Sequence, residues 1–304
     1  LDSDVKSIKK AARKGVKEEL NKRVDNIIQN QKISVDNNSK IIWKDNPIGR
    51  LKKGHDYLNP EIEVIADDSL ELETKLKLEE FLKRWFNSHI NEILGDLINL
   101  TKGKIENQYL RALVFQLYEK NGVIKRSEID NIIKLIPSDE RKKLWGMGIK
   151  IGRYHVYLPK MLKPKAVEFR VSLWKIFFNL TEKYPIPKFG LNFIIDKNYE
   201  KNFLLLCGFE KFKEYFIRID ILEKLFIKIL DSSKDRKFKI NSEMMNLLGC
   251  TKENFYKLMT YMDYKKDKEK DAYIFKGDKK KKPKFIKFDK KENPFKKLLS
   301  LNIK

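Results

Sequence analysis

The stretch Gly148-Ile-Lys-Ile-Gly-Arg-Tyr-His-Val-Tyr-Leu-Pro-Lys-Met-Leu-Lys-Pro-Lys-Ala-Val-Glu-Phe-Arg-Val-Ser-Leu-Trp174 reads as strand, turn and helix in succession. Ile149, Ile151, Tyr154, Val156 and Leu158 are β-branched, aromatic or aliphatic with polar residues between them, which predicts a strand over 149–158. Pro159 and Pro164 bracket a turn, because neither can donate to a ladder. A helix then runs from Pro164 to about 180, with Val167, Val171 and Trp174 on one side. Arg153, Lys160, Lys163, Lys165 and Arg170 set five cations within 18 residues, interleaved with Tyr154 and Tyr157. That mixture suits phosphates and stacked bases. Equally, the tyrosines could be core and the lysines solvated surface. In an extended strand the two tyrosines point to opposite faces, so at least one of them is structural.

The same residues carry a family resemblance. The stretch is similar to a signature near the C-terminus of bacterial superfamily 2 helicases related to the mitochondrial degradosome RNA helicase. Those read roughly Gly-Val-Arg-Phe-Gly-x-x-His-Ile-Tyr-x-Pro-x-Leu-Leu-Lys-Pro, then a helix ending in Leu-Trp. Gly148, Ile149, Lys150, Ile151, Gly152, His155, Val156, Tyr157, Pro159, Met161, Leu162, Lys163, Pro164, Leu173 and Trp174 stand at those positions. Trp43 to Leu51, Trp85 to Ile90, Arg218 to Leu225 and Leu247 to Phe255 follow the family's order, so the resemblance spans about residues 40 to 264. It implies the accessory region of an ATP-dependent helicase, with RNA favoured over DNA. It further implies that two motor domains lie upstream, where ATP and magnesium would bind, and it leaves any RNA-degradation partner unknown. The chain opens on Leu1, as a fragment would.

Outward from the signature the chain is mainly α with small β elements, an α+β composition. Residues 1–32 predict a basic helix that would join an upstream domain, with Val5, Ile8, Ala12, Val16, Leu20, Val24 and Ile27 at helical spacing. Residues 33–66 read as a small strand-rich subdomain, with a hairpin signal at Asp36 to Ser39. A helical accessory domain follows over 67–187. Asp67 or Asp68 would cap its first helix, in which Leu72, Leu76, Leu78, Phe81, Leu82, Trp85 and Phe86 form the apolar face, with a break near Gly95. Asn121-Gly122 ends a second helix, and Ser127 and Ser138 are placed to cap two short ones.

Residues 188–276 have the element order of a winged helix. Ile221, Leu222, Leu225, Phe226, Ile229 and Leu230 form two adjacent rows expected to be buried. Gly249 closes a short helix, Thr251 caps the next, and Lys252 and Lys257 lie off its apolar stripe, where they could contact nucleic acid. Wing strands are expected at Tyr264 and at Tyr273 to Phe275. From 263 to 304 there are 16 lysines against 7 carboxylates, with an unbroken run at Lys279 to Lys282, and 277–304 reads as a basic tail.

The chain has 304 residues, a net charge of +23 and a pI near 9.6, which favours a polyanionic partner. Lysines number 55 and arginines 11, so part of the excess reflects composition. Cys207 and Cys250 are isolated and apolar in setting, as in a reducing, cytoplasmic compartment. Together with His55, His89 and His155 they lack zinc-ligand spacing. No apolar run is long enough to span a membrane. There is no phosphate-binding Gly-x-x-x-x-Gly-Lys-Ser/Thr loop, since Gly103-Lys104 lacks both the first glycine and the hydroxyl residue. No catalytic residue is assigned, because the paired carboxylates Asp67-Asp68, Glu79-Glu80 and Asp139-Glu140 fit helix starts and polar faces. Two rivals to the helicase reading stay open: a freestanding winged-helix regulator of duplex DNA, and a helical protein–protein adaptor with incidental charge.

Overall fold

The computed structural model describes residues 2–30, 32–36, 38–65, 70–180, 184–196, 199–233, 237–267 and 272–274. Asp67, Asp68, residues 268–271, Phe275 and the tail at 277–304 lie outside them. The chain is mixed α and β, with helices dominant and several small antiparallel sheets.

Helix α1 (Asp2–Gln29) meets the rest through its last turns, where Val24 and Ile27 are buried while Val16 is half exposed. Thr74 donates to Asn21, and Lys77 pairs with Asp25 at 2.7 Å, which fixes α1 along the second helix. Strands β1 (Ile33–Val35), β2 (Lys40–Trp43), β3 (Asn46–Asp56) and β4 (Asn59–Val64) form a meander in chain order. The first hairpin pairs Ile33 with Trp43, and the Asp36 carboxylate accepts the N–H groups of Asn38 and Lys40. The alternation in β3 buries Gly49 and Leu51 and exposes Arg50 and Lys52.

Helix α2 (Leu72–Asn99) is interrupted at Leu94 (φ −112°, ψ 20°), beside the predicted break at Gly95. Leu78, Phe81, Leu82 and Phe86 are buried as expected, but Leu72 and Leu76 are exposed. Buried side chains of α1, the meander, α2 and the signature belong to one continuous hydrophobic core. The strand-rich segment therefore shares its interior with the central helices.

Three successive segments then repeat one strand order, the second with one helix between its first two strands where the others have two. The first is α3 (Gln108–Glu119), β5 (Val123–Lys125), α4 (Arg126–Leu135), α5 (Ser138–Gly146), β6 (Lys150–Ile151) and β7 (His155–Tyr157). After a 3-10 turn (Pro159–Leu162) come α6 (Pro164–Phe177), β8 (Phe193–Ile195), α7 (Lys201–Leu206), β9 (Phe209–Phe212) and β10 (Tyr215–Arg218). The last is α8 (Ile219–Ser232), β11 (Lys237–Phe238), α9 (Ser242–Leu248), α10 (Lys252–Tyr261), β12 (Lys265–Lys266) and β13 (Tyr273–Ile274). In each, the third strand lies between the first and second, antiparallel to both.

Local chemistry explains the boundaries. Helix α3 ends where Asn121 and Gly122 take φ of 61° and 81°, and a Cβ on Gly122 would lie 2.8 Å from Met161. Thr251 accepts the N–H of Asn254, and Gly249 closes α9 at φ 67°. Ser127 and Ser138 are not caps: Lys125 and Pro137 hold those positions, and neither makes a side-chain capping bond. The predicted single strand over 149–158 is a hairpin. Lys150 pairs with Tyr157 and Ile151 with Val156, and the Gly152 N–H donates to the His155 carbonyl at 2.7 Å across the turn.

Candidate nucleic-acid interface

The hairpin turn is anchored from outside its own segment. Glu223, on the second turn of α8, accepts the backbone N–H groups of Arg153 (2.6 Å), Tyr154 (2.9 Å) and His155 (2.9 Å). The turn presents these amides together, and the carboxylate satisfies all three. His155 is buried, and its Nε2 lies 2.8 Å from the carboxylate of Glu210 on β9, which also pairs with Lys125 of β5. Its Nδ1 is 3.7 Å from Glu223. Burial works against a charged His155 ring, yet the two carboxylates outweigh it and hold its pKa above the ordinary value. Burial likewise disfavours ionised Glu210, and its bonds to His155 and Lys125 more than offset that, lowering its pKa. The family-like histidine is thus a clamp between segments.

Beside this clamp lies a groove of about 690 Å³ between the hairpin and α8. Its cations are Arg126, Lys150, Arg153 and Lys224. The two carboxylates in its wall are already engaged: Asp220 bonds Arg218 at 2.6 and 2.9 Å, and Glu223 bonds the hairpin amides. Arg126 donates to the Gly152 carbonyl at 2.9 Å and pairs with Asp130 at 3.4 Å, and Arg153 sits over the Phe226 ring at 5.6 Å. At the rim, Trp145 is 80% exposed, and Ile227 is exposed as well. An indole this exposed gains nothing from the core and offers a flat surface on which a base can stack. Phe226 and Leu230, expected in the core, are half-buried and exposed respectively, because α8 turns one face to this groove and the solvent.

The predicted site residues divide. Arg153 and Tyr157 line the groove, but Tyr157 is 5% exposed and packs with Val123 and Ile219. The Tyr154 ring packs edge-on to Phe226, and its hydroxyl lies 3.2 Å from that of Tyr264. Neither tyrosine is a stacking platform. Arg170 is wholly buried and donates to the carbonyls of Asn121 and Met161, so it holds two turns together and has no phosphate-facing surface. Lys160, Lys163 and Lys165 are exposed around the start of α6, outside the groove, and Lys160 pairs with Asp96 at 2.9 Å. Lys252 and Lys257 are exposed on α10, away from the groove's lining.

Sequence reasoning missed Trp145, although a signal was present. In Ser138–Gly146 the apolar side chains are Leu144 and Trp145, about 100° apart around the axis of an otherwise polar helix, so only a narrow face is available to the core. Leu144 takes it, and Trp145 is left projecting outward. Among the described residues, no helix is long and apolar enough to cross a membrane, and no cluster of His, Cys, Asp and Glu is arranged to hold a metal ion. Comparison of the chain with protein-family models, curated proteins and solved structures finds no match, so the helicase resemblance rests on the sequence motifs alone.

Proposed function

We propose that this chain is the accessory nucleic-acid-binding region of an ATP-dependent superfamily 2 helicase, acting on RNA in preference to DNA. It holds one strand and guides it away from motor domains elsewhere in the protein, which would bind ATP and magnesium. The groove carries the reading: an exposed indole stands beside four cations, of which Arg126 is paired with Asp130, while Asp220 is bonded to Arg218 and Glu223 to the hairpin amides. The cations neutralise phosphates and Trp145 stacks on a base, so binding is electrostatic and sequence-tolerant, with no covalent step. The last segment, α8 to β13, is read as winged-helix-like, a reading supported by its helix–strand–helix–helix–strand–strand order and its strand order. The same topology in α3 to β7 extends that reading to the segment bearing the groove.

One observation favours a second reading. Lys252 and Lys257 are exposed on α10, the helix that a winged-helix regulator would offer to duplex DNA. Affinity for fluorescent single-stranded RNA, single-stranded DNA and duplex DNA across a salt series separates the two. Single-strand preference, with a slope of about −0.7 per neutralised phosphate, is expected. Sequence-dependent duplex preference transfers the assignment to the regulator, and no binding at low salt removes both.

A further inference from the structure

A second basic groove, of about 1020 Å³, lies between the β2–β3 face and the end of α6. Lys40, Arg50, Lys52, Lys53 and Lys175 line it, against a single lining carboxylate, Glu61. Glu63, just outside, pairs with Lys52 at 2.6 Å, which still leaves a surplus of cations. Lys40 and Arg50 stand directly opposite each other in the β2–β3 register. Like charges so placed repel across strands, a cost that a bound polyanion relieves. The carbonyls of Lys175 and Ile176 near the end of α6 accept the amides of Leu180 and Asn179, which blunts the negative end of the helix at the groove. Ser39, Ser172 and Asn179 add neutral hydrogen-bonding groups.

The two grooves differ in chemistry. No aromatic side chain is among the described residues lining the second one, whereas the first has Trp145, Tyr157 and Phe226. A single strand splays its bases and is held by stacking, while a duplex keeps its bases paired and shows phosphates along its outside. We infer that the second groove takes the sugar–phosphate backbone of a nucleic-acid duplex, without base contact. Pro159 lines the first groove, and Ser172, Lys175 and Ile176 line the second. The 14-residue α6 between them is on the order of 20 Å long. A junction with a single-stranded tail and a duplex stem could then occupy both.

The test uses three probes, a single strand, a blunt duplex and a tailed duplex, with the full chain across a salt series. Arg50 and Lys53 are exposed, so R50A/K53A should keep its melting temperature. Its log–log salt slope on blunt duplex should fall by about 1.8 while single-strand affinity stays within about twofold. The single variant K175A should lower the duplex slope by about 0.9 and serves if the double variant misfolds. W145A should do the reverse, weakening the single strand and sparing the blunt duplex. An unchanged duplex slope in both basic-groove variants overturns the inference. Equal loss on strand and duplex overturns the duplex assignment. Failure of the wild type to bind single strands counts against the proposed function alone, because the duplex arm is read independently.

Discussion

A Cβ placed on Gly152 would lie 2.3 Å from the carboxyl carbon of Glu223. The glycine is required there by space, since any side chain would displace the carboxylate from the three amides it accepts. G152A should therefore destabilise the chain by about 1–3 kcal/mol, the usual cost of overpacking a close contact. E223A should cost a similar amount, because it leaves three partly buried N–H groups without their acceptor. As both changes break the same anchor, the double variant should lose little more than either alone. Urea midpoints of the four proteins check this, and strict additivity would show that Gly152 and Glu223 act independently of each other.

Arg170 gives the sharpest division between structure and binding. It lies at the heart of the basic signature, yet it is wholly buried, with its guanidinium on two backbone carbonyls. R170A should cost about 3 kcal/mol or more, combining a cavity with two stranded carbonyls. R170K should recover only part of this, because an ammonium lacks the planar fork that reaches both turns. K163A, at an exposed position, should leave stability within about 0.5 kcal/mol. Thermal melts of the three variants test the contrast, and an unaffected R170A would sink the architectural role.

The sequence predicted helices well where an apolar stripe and a cap agreed. Helix α10 shows this, with Thr251 as its cap and Phe255, Leu258 and Met259 buried. It misled where a pattern had two geometric solutions. Alternating residues over 149–158 fit one strand or a tight hairpin, and the choice depends on Glu223, some 70 residues away. The same distance hid the clamp, because neither Glu210 nor Glu223 has a local pattern to mark it as a histidine partner. Arg170 was misread for a related reason: charge predicts exposure, and only the fold reveals two carbonyls waiting in the core. The same strand order in the two earlier segments was illegible, since strands as short as Lys150–Ile151 and Phe193–Ile195 leave almost no periodicity.

Trp145 provides the direct test of the groove. Its ring is 80% exposed, so W145A should leave the melting temperature unchanged. Loss of one base-stacking platform should weaken single-strand binding by about 1–3 kcal/mol, roughly 5- to 150-fold. W145F should retain part of the affinity, because a smaller ring still stacks. Fluorescence titration with a short RNA checks both, and the indole emission should be quenched on binding. Equal affinity for wild type and W145A would place the strand elsewhere.

The His155 clamp predicts a pH dependence with two limbs of opposite sign. A raised histidine pKa stabilises the fold fully below about 6.5, its unfolded value, and that contribution is lost as pH rises through the folded value. A lowered Glu210 pKa stabilises above about 4.3 and is lost as pH falls through its own folded value. The clamp therefore contributes most between about pH 4.3 and 6.5. His89 works against the alkaline limb: burial lowers its pKa, so it favours folding as pH rises. For that reason the informative quantity is the difference between wild type and H155Q. That difference should be largest near pH 6 and shrink as pH rises through the folded value of the ring. Denaturant unfolding at intervals across this range measures it. A difference independent of pH would mean that His155 holds the segments together by hydrogen bonding and packing, with no charge on its ring.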